Sequence, residues 1–258
     1  MNWEEWRSLY LEIVKEMGYS IEQDYLSAQL LNRLLIIKAM TLEELKERIK
    51  DKRGAVIFGA GPSLKSDIAS FIDSGISDRV SVIVADGASR AFLEMGLKFD
   101  LVVTDLDGGD DILIEASKNC LGMIVHAHGD NIDKIEKIIP LLHGRILGTT
   151  QCKPFGILYN FGGFTDGDRA VFLADTLGFN VIILAGMDFG DEVGEYSKAM
   201  KGFDEEWLRV KKKKLSIGKK LLEFYSLKSD KKLYNATSRG EEIRGFTKIS
   251  FKEIVKII

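Results

Sequence analysis

The feature that most constrains the fold is a series of short apolar runs that alternate with helix-like stretches from residue 54 onward. Short runs rich in β-branched residues, separated by helices, are typical of a parallel sheet covered on both faces. The sequence therefore predicts the α/β class, with a Rossmann-like, mostly parallel sheet and helices on both faces. The predicted strands are 55–58, 80–84, 101–103, 123–125, 145–147 and 181–184.

The segments on either side of this region have a different pattern. Apolar residues at helical spacing and a capping box at Thr41 predict helices before residue 50. After Asp188 the sequence predicts a long basic helix over 205–224, a strand-like piece at 232–235 and a last helix near Ser250. The predicted organisation is a helical arm (1–50), a Rossmann-like catalytic core (51–190) and an extension packed on the core (191–258).

Composition excludes several classes of function. The 36 Lys and Arg against 39 Asp and Glu give a formal net charge of -3, without the overall basic charge typical of nucleic-acid binding. Cys120 and Cys152 form no CxxC pair, which argues against a zinc knuckle or a disulfide framework. No apolar run is long enough to cross a bilayer and no signal peptide is recognisable, so a cytoplasmic protein without a membrane partner is expected. The oligomeric state stays open, with a homodimer as one option.

Each predicted strand is followed by glycines, acids or histidines. The carboxyl ends of parallel strands meet at one edge of a sheet, and ligands bind there. We therefore expect these polar segments to converge in space. They begin at Gly59, Ala85, Thr104, His126, Gly148 and Ala185.

The turn after the first strand reads Gly-Ala-Gly-Pro-Ser (59–63). It is similar to a shortened glycine-rich phosphate loop, in which backbone N–H groups and a helix N-terminus face an anion. Leu64 stands where the third glycine of GxGxxG would be, and no GK[ST] follows. An ordinary strand-to-helix turn is the alternative.

Acids after the second and third strands favour a metal site. Asp105 and Asp107 lie two residues apart, and Asp86 adds a third carboxylate. Carboxylate oxygens are the ligands that Mg²⁺ prefers. Asp168 is a further candidate, and solvated loop acids are the alternative interpretation.

Other charged residues are less diagnostic. His126 and His128 have the spacing of a transition-metal pair, but contact with a substrate phosphate or base is the preferred role. Arg169 suits bidentate pairing with a phosphate. The lysine run 211–214 is interpreted as a solvated helix face, with a phosphate-steering patch as the alternative.

Taken in order, these segments resemble one family, the archaeal 6-hydroxymethyl-7,8-dihydropterin pyrophosphokinases, which are distantly similar to thiamin pyrophosphokinases. The resemblance covers about residues 50 to 250. It rests on several motifs in the same order. They are GAGPSL (59–64), ADGA (85–88), VTDLDG (103–108), HAHGDN (126–131), GTTQ (148–151) and NFGGFTDGDRA (160–170).

The resemblance implies Mg²⁺-dependent transfer of pyrophosphate from ATP to the hydroxymethyl oxygen of the pterin, with release of AMP, in tetrahydromethanopterin or folate-type cofactor synthesis. ATP and a pterin are the expected partners. The metal ligands expected are Asp86, Asp105, Asp107 and Asp168. The residues expected at the transferring group are Asp105, Asp107, Arg169, His128 and Lys153. Those expected to contact nucleotide or pterin are Gly59, Gly61, Pro62, Ser63, Asp86, Gly87, Asn131, Thr149 and Gln151.

Three other functions remain open from the sequence. A thiamin pyrophosphokinase would share the site and differ in the acceptor pocket. A nucleotide-sugar glycosyltransferase also uses a DxD pair to hold a metal-bound diphosphate. A nucleotide-binding module without turnover is the last alternative.

Overall fold

The computed structural model of the protein describes residues 1–197 and 205–258. One sheet of eight parallel strands organises this part of the chain, in the order β5-β4-β3-β2-β1-β6-β7-β8. The strands are β1 (Gly54–Phe58), β2 (Val80–Ala85), β3 (Leu101–Thr104), β4 (Gly122–Ala127), β5 (Ile146–Thr150), β6 (Val181–Ala185), β7 (Lys232–Asn235) and β8 (Thr247–Lys248). The helices are α1 (Trp3–Met17), α2 (Ile21–Leu34), α3 (Leu42–Ile49), α4 (Leu64–Ser74), α5 (Asp86–Glu94), α6 (Asp110–Asn119), α7 (Ile132–Ile138), α8 (Asp166–Thr176), α9 (Glu205–Ser226) and α10 (Phe251–Ile254).

Every residue of β1 to β6 is buried, which explains why these strands read as continuous apolar runs. All six strands predicted from the sequence are confirmed, as is the Rossmann-like α/β class. β7 lies where the strand-like piece 232–235 was predicted and pairs in parallel with β6. The segment after residue 191 therefore adds strands to the same sheet.

The N-terminal helices cover the β5 edge of the sheet. Ser20 caps α2, and Thr41 forms the predicted capping box of α3. Between these helices, the N–H of Met40 donates to the carbonyl of Ile146 over 2.8 Å. The indole of Trp6 donates to the Gln151 carbonyl over 2.8 Å. These contacts cover the β5 edge of the sheet and supply it with hydrogen-bond partners.

The strand order reverses direction at β1, which lies between β2 and β6. In open α/β sheets a crevice forms outside the carboxyl ends of the strands at such a point, and ligands bind in it.

None of the helices in the described part of the chain combines the length and the apolar character that a membrane span requires.

Candidate active site

A cavity of about 540 Å³ opens at this reversal point. The segments after β1, β2, β3 and β6 form its walls, together with the start of α8 and one face of α9. Strand-end residues far apart in sequence therefore line one crevice, as the sheet geometry predicted.

Three carboxylates converge in this cavity. Asp86 begins α5, and Asp105 and Asp107 follow β3. One oxygen of each lies within 4.8 Å of the others, a spacing that suits a shared metal ion. Asp86 Oδ1 and Asp105 Oδ1 are buried and have no hydrogen-bond partner among the described residues. Such orphaned oxygens are rare in folded proteins and point to a missing ligand.

The surrounding backbone holds Asp86 in place. Its Oδ2 accepts hydrogen bonds from the N–H of Asp107 over 3.1 Å and of Gly108 over 2.8 Å. A Cβ at Gly108 would lie 2.1 Å from Asp86 Oδ1, so that position admits only glycine without a shift. The loop after β3 is therefore built around the Asp86 carboxylate.

The charges of the cluster act on one another. Burial raises the pKa of Asp86, and the charge of Asp105 raises the pKa of Asp107. Burial favours the neutral form of Asp105, but the hydrogen bond and charge of His128, together with the charges of Lys214 and Arg169, hold the Asp105 pKa below its ordinary value. His128 Nε2 lies 3.4 Å from Asp105 Oδ2. A bound cation would relieve the repulsion that remains.

The turn after β1 lines the same cavity, but its N–H groups bind the protein itself. The N–H of Gly59 donates to the Ala185 carbonyl (2.9 Å) and that of Gly61 to the Gly186 carbonyl (2.8 Å). The N–H of Ser63 faces the Asp188 carboxylate at 3.2 Å.

These bonds revise the predicted phosphate loop. Asp188 is the anion at the N-terminus of α4, and Ser63 is buried outside the cavity lining. Gly59, Gly61 and Pro62 do line the cavity and shape its wall. Gly87 does so as well, and a Cβ there would lie 2.2 Å from the Tyr196 carbonyl oxygen.

Asn131, Thr149 and Gln151 were predicted to contact the ligand, but the structure places all three outside the cavity lining. Asn131 Nδ2 donates to the carbonyls of Asp105 (2.8 Å) and His126 (2.7 Å). Thr149 Oγ1 lies 3.0 Å from His126 Nδ1. Gln151 Nε2 donates to Asp24 in α2 over 2.8 Å. These side chains support the loops that carry Asp105 and His128.

The start of α8 separates two neighbouring acids. Asp168 is fully buried and accepts hydrogen bonds from the N–H of Phe164 (2.6 Å) and Thr165 (2.8 Å), so it caps the helix. It lies outside the carboxylate cluster, unlike the prediction. Asp166, two residues earlier, lines the cavity instead. Burial and the charge of Asp105 raise its pKa.

Arg169 is also held within the protein. Its Nη1 pairs with Asp166 Oδ1 at 3.0 Å, and its Nη2 donates to the Phe164 carbonyl at 3.0 Å. The Arg169 side chain is 4% exposed and is not part of the cavity lining. Lys153 is exposed and likewise lies outside it. Neither cation therefore reaches a ligand in the cavity in this conformation.

Two lysines of the run 211–214 line the cavity, which the interpretation as a solvated face missed. Lys211 and Lys214 face the carboxylate cluster from α9, whereas Lys212 pairs with Asp191 on the outside at 2.8 Å. A signal was available, because residues three apart share one helix face and Leu215 continues that face as an apolar position. Asp166 was not among the predicted site residues, because an acid at the start of a helix is also explained as a helix cap.

Comparisons with known proteins point in one direction. A family model described as 6-hydroxymethylpterin diphosphokinase, MptE-like, matches residues 28–194. A relative from Pyrococcus furiosus, named 6-hydroxymethyl-7,8-dihydropterin pyrophosphokinase, is 46% identical over 235 residues, covering 87% of this chain and 94% of its own. A relative of the same name from Methanothermobacter thermautotrophicus is 43% identical, and the match covers 75% of this chain and 81% of the relative. Another, from Methanocaldococcus jannaschii, is 40% identical, and the match covers 77% of this chain and 84% of the relative.

A solved structure shares the fold. The MAf glycosyltransferase from Magnetospirillum magneticum matches with a TM-score of 0.50 and 17% identity over 84% of this chain. This chain spans 39% of that protein. At this identity the likeness concerns the fold alone.

Proposed function

The chain belongs to the MptE-like family of 6-hydroxymethylpterin diphosphokinases, and from this membership we propose that it transfers the diphosphoryl group of ATP to 6-hydroxymethyl-7,8-dihydropterin. In this reaction the hydroxymethyl oxygen forms a bond to the β-phosphorus of ATP. The bond from that phosphorus to the oxygen bridging the α-phosphate breaks, and AMP leaves with that oxygen and the bonding electron pair. The hydroxyl proton passes to solvent. The pterin diphosphate would serve synthesis of a tetrahydromethanopterin or folate-type cofactor.

The observation that carries the proposal is the convergence of Asp86, Asp105 and Asp107 in the crevice at the strand reversal. The donor set fits Mg²⁺, since all three side chains offer hard oxygens and two buried oxygens have no hydrogen-bond partner among the described residues. We propose that these three residues hold the ion. When bound, Mg²⁺ supplies positive charge to the phosphate oxygens, on which negative charge must be stabilised during transfer.

The residues around the cluster orient it. His128 lies against Asp105 and favours its ionised form, and Asn131 fixes the Asp105 backbone through a 2.8 Å hydrogen bond. Gly108 leaves room for the Asp86 carboxylate. Phosphoryl transfer depends mainly on alignment and charge stabilisation, so a rigid wall of oriented oxygens suits it better than a strong base would.

The test is product formation. We expect the purified protein, incubated with ATP, MgCl₂ and 6-hydroxymethyl-7,8-dihydropterin, to release AMP and a pterin heavier by one diphosphate, measured by chromatography and mass spectrometry. Parallel reactions contain thiamin, a sugar nucleotide or no acceptor. AMP formed with thiamin but not with the pterin would contradict the proposed acceptor. Nucleotide binding without AMP from any acceptor would favour the non-catalytic alternative.

A further inference from the structure

Four cationic side chains of the described residues line the cavity: Arg90, Lys134, Lys211 and Lys214. Two of them are already held by polar groups. Arg90 Nη2 donates to the Gly108 carbonyl over 3.3 Å, and Lys134 Nζ pairs with Asp110 Oδ1 at 2.8 Å. Lys211 has no carboxylate within 4.0 Å in ranges 1–197 and 205–258, and Lys214 Nζ lies 5.8 Å from the centre of the Tyr19 ring. Lys214 also interacts with the Tyr19 side chain, which is uncharged. Among the described residues, the two lysines of α9 are therefore the cations of the cavity that have no carboxylate or carbonyl partner.

The other two lysines of the run point elsewhere. Lys212 Nζ pairs with Asp191 at 2.8 Å, and Lys213 Nζ donates to the Glu16 carbonyl at 2.6 Å. The three-residue spacing of Lys211 and Lys214 places both on the face of α9 that turns toward the cluster. The run thus divides into one pair facing the cavity and one pair facing outward.

The charges across the cavity indicate a role for Lys211 and Lys214. The opposite wall of the cavity carries Asp86, Asp105, Asp107 and Asp166. A nucleoside triphosphate brings further negative charge to this wall, and a metal ion there contacts the phosphates from one side only. Cationic donors on the facing helix would hold the phosphate oxygens from the other side.

We propose that Lys211 and Lys214 bind the non-bridging oxygens of the β- and γ-phosphates and so hold the diphosphoryl group against the carboxylate wall during transfer. This inference rests on the proposed function, because it assigns residues to the same reaction. The lysines donate hydrogen bonds only; the β-phosphorus still gains the acceptor oxygen and loses the oxygen that leaves with AMP. Both residues lie outside range 28–194, which the family model matches.

The outward lysines supply matched controls on the same helix. Four variants, Lys211→Met, Lys214→Met, Lys212→Met and Lys213→Met, remove the same charge and keep a similar chain length. We expect kcat/KM for ATP to fall about 100-fold in each inner variant, as for loss of a charge-assisted hydrogen bond to phosphate. We expect it to change less than about twofold in the outer variants. Equal losses in inner and outer variants would overturn the proposal.

A binding measurement separates this inference from the proposed function. We expect the inner variants to bind a non-hydrolysable ATP analogue with Mg²⁺ about 10- to 100-fold more weakly by calorimetry, with AMP affinity unchanged. Equal weakening of AMP and the analogue would indicate a structural role and overturn the inference. If the wild type forms no AMP with the pterin while this difference holds, the proposed function fails and the phosphate site stands.

Lys214 packs against Tyr19, so its removal also has a structural control. Lys214→Arg keeps the charge, and we expect it to recover part of the analogue affinity lost in Lys214→Met. Thermal unfolding of both variants, followed by circular dichroism, shows whether the fold is kept. Loss of affinity that the arginine does not recover, in a protein as stable as the wild type, would contradict a phosphate contact by Lys214.

Discussion

Two sets of acids lie near the strand-reversal crevice and differ in which groups supply their hydrogen-bond donors. Asp188 lines the cavity, whereas its neighbour Asp67 in α4 lies outside the lining. Next to the β1 turn, Asp188 accepts from the N–H and the hydroxyl of Ser63, and Asp67 accepts from the Gly186 N–H over 2.8 Å. After β2 and β3, one oxygen each of Asp86 and Asp105 is buried without a partner among the described residues. Folded proteins rarely leave such atoms unsatisfied. The second set is therefore the one that we propose as the metal site.

Glycine does not distinguish the two sets. A Cβ at Gly61 would lie 2.0 Å from Asp188 Oδ2, and one at Gly108 would lie 2.1 Å from Asp86 Oδ1. In both places glycine makes room for a carboxylate of the protein itself. A glycine-rich turn between a strand and a helix is thus as compatible with a closed, self-satisfied turn as with a phosphate loop.

The largest effect expected from this comparison is on catalysis in the unsatisfied set. Asp105→Asn removes one charge from the proposed metal site while keeping the shape of the side chain. We expect AMP formation with the pterin to fall about 10³-fold, the upper range for loss of a group that stabilises transition-state charge. The measurement is the initial rate of AMP release at saturating ATP and Mg²⁺.

Asp111→Asn is the matched control, since Asp111 is an exposed acid of the same region outside the cluster. We expect its rate to stay within about twofold of the wild type. If Asp105→Asn kept more than a tenth of the activity, Asp105 would not be a metal ligand and the contrast between the two sets would lose its functional meaning.

The self-satisfied set should respond in stability instead. Asp188→Ala leaves the buried N–H of Ser63 without its acceptor at the N-terminus of α4, while the Ser63 hydroxyl keeps Asp67 Oδ2 at 2.7 Å. We expect the free energy of unfolding to fall by about 2 kcal/mol, which lowers the melting temperature by about 5 °C for a chain of this size. Below that temperature we expect AMP formation to change less than about tenfold.

Glu192→Ala serves as the comparison, because Glu192 is an exposed acid of the same segment that also lines the cavity. We expect its melting temperature to match the wild type. An Asp188→Ala protein with full stability and no activity would show that Asp188 acts on the ligand. The two sets would then not differ in function.

The sequence predicted the fold and the meeting of the acids for physical reasons. Buried parallel strands read as continuous apolar runs, so β1 to β6 were recognisable, and the strand-end rule placed Asp86 near Asp105. It did not predict which acids the protein satisfies itself. Asp166 and Asp168 lie two residues apart on either side of Gly167, and only the helix cap geometry shows that Asp168 turns inward. The lysine run posed the same difficulty, because helix packing decides which side chains face the cavity.

The smallest effect expected is a gain in stability within the unsatisfied set. The charge of Asp105 raises the pKa of Asp107, so ionised Asp107 is disfavoured in the folded protein. Asp107→Asn removes that repulsion, and we expect the melting temperature without metal to rise by about 2 °C. The same change removes a proposed metal ligand, so added Mg²⁺ should stabilise the variant less than the wild type.

Calorimetric melting with and without MgCl₂ measures both melting-temperature changes, with Asp111→Asn as the reference. A variant that melts below the wild type without metal would mean that Asp107, like Asp188, stabilises the fold. A higher melting temperature without metal, together with a smaller stabilisation by Mg²⁺, would indicate that the Asp107 charge destabilises the fold and serves ligand binding.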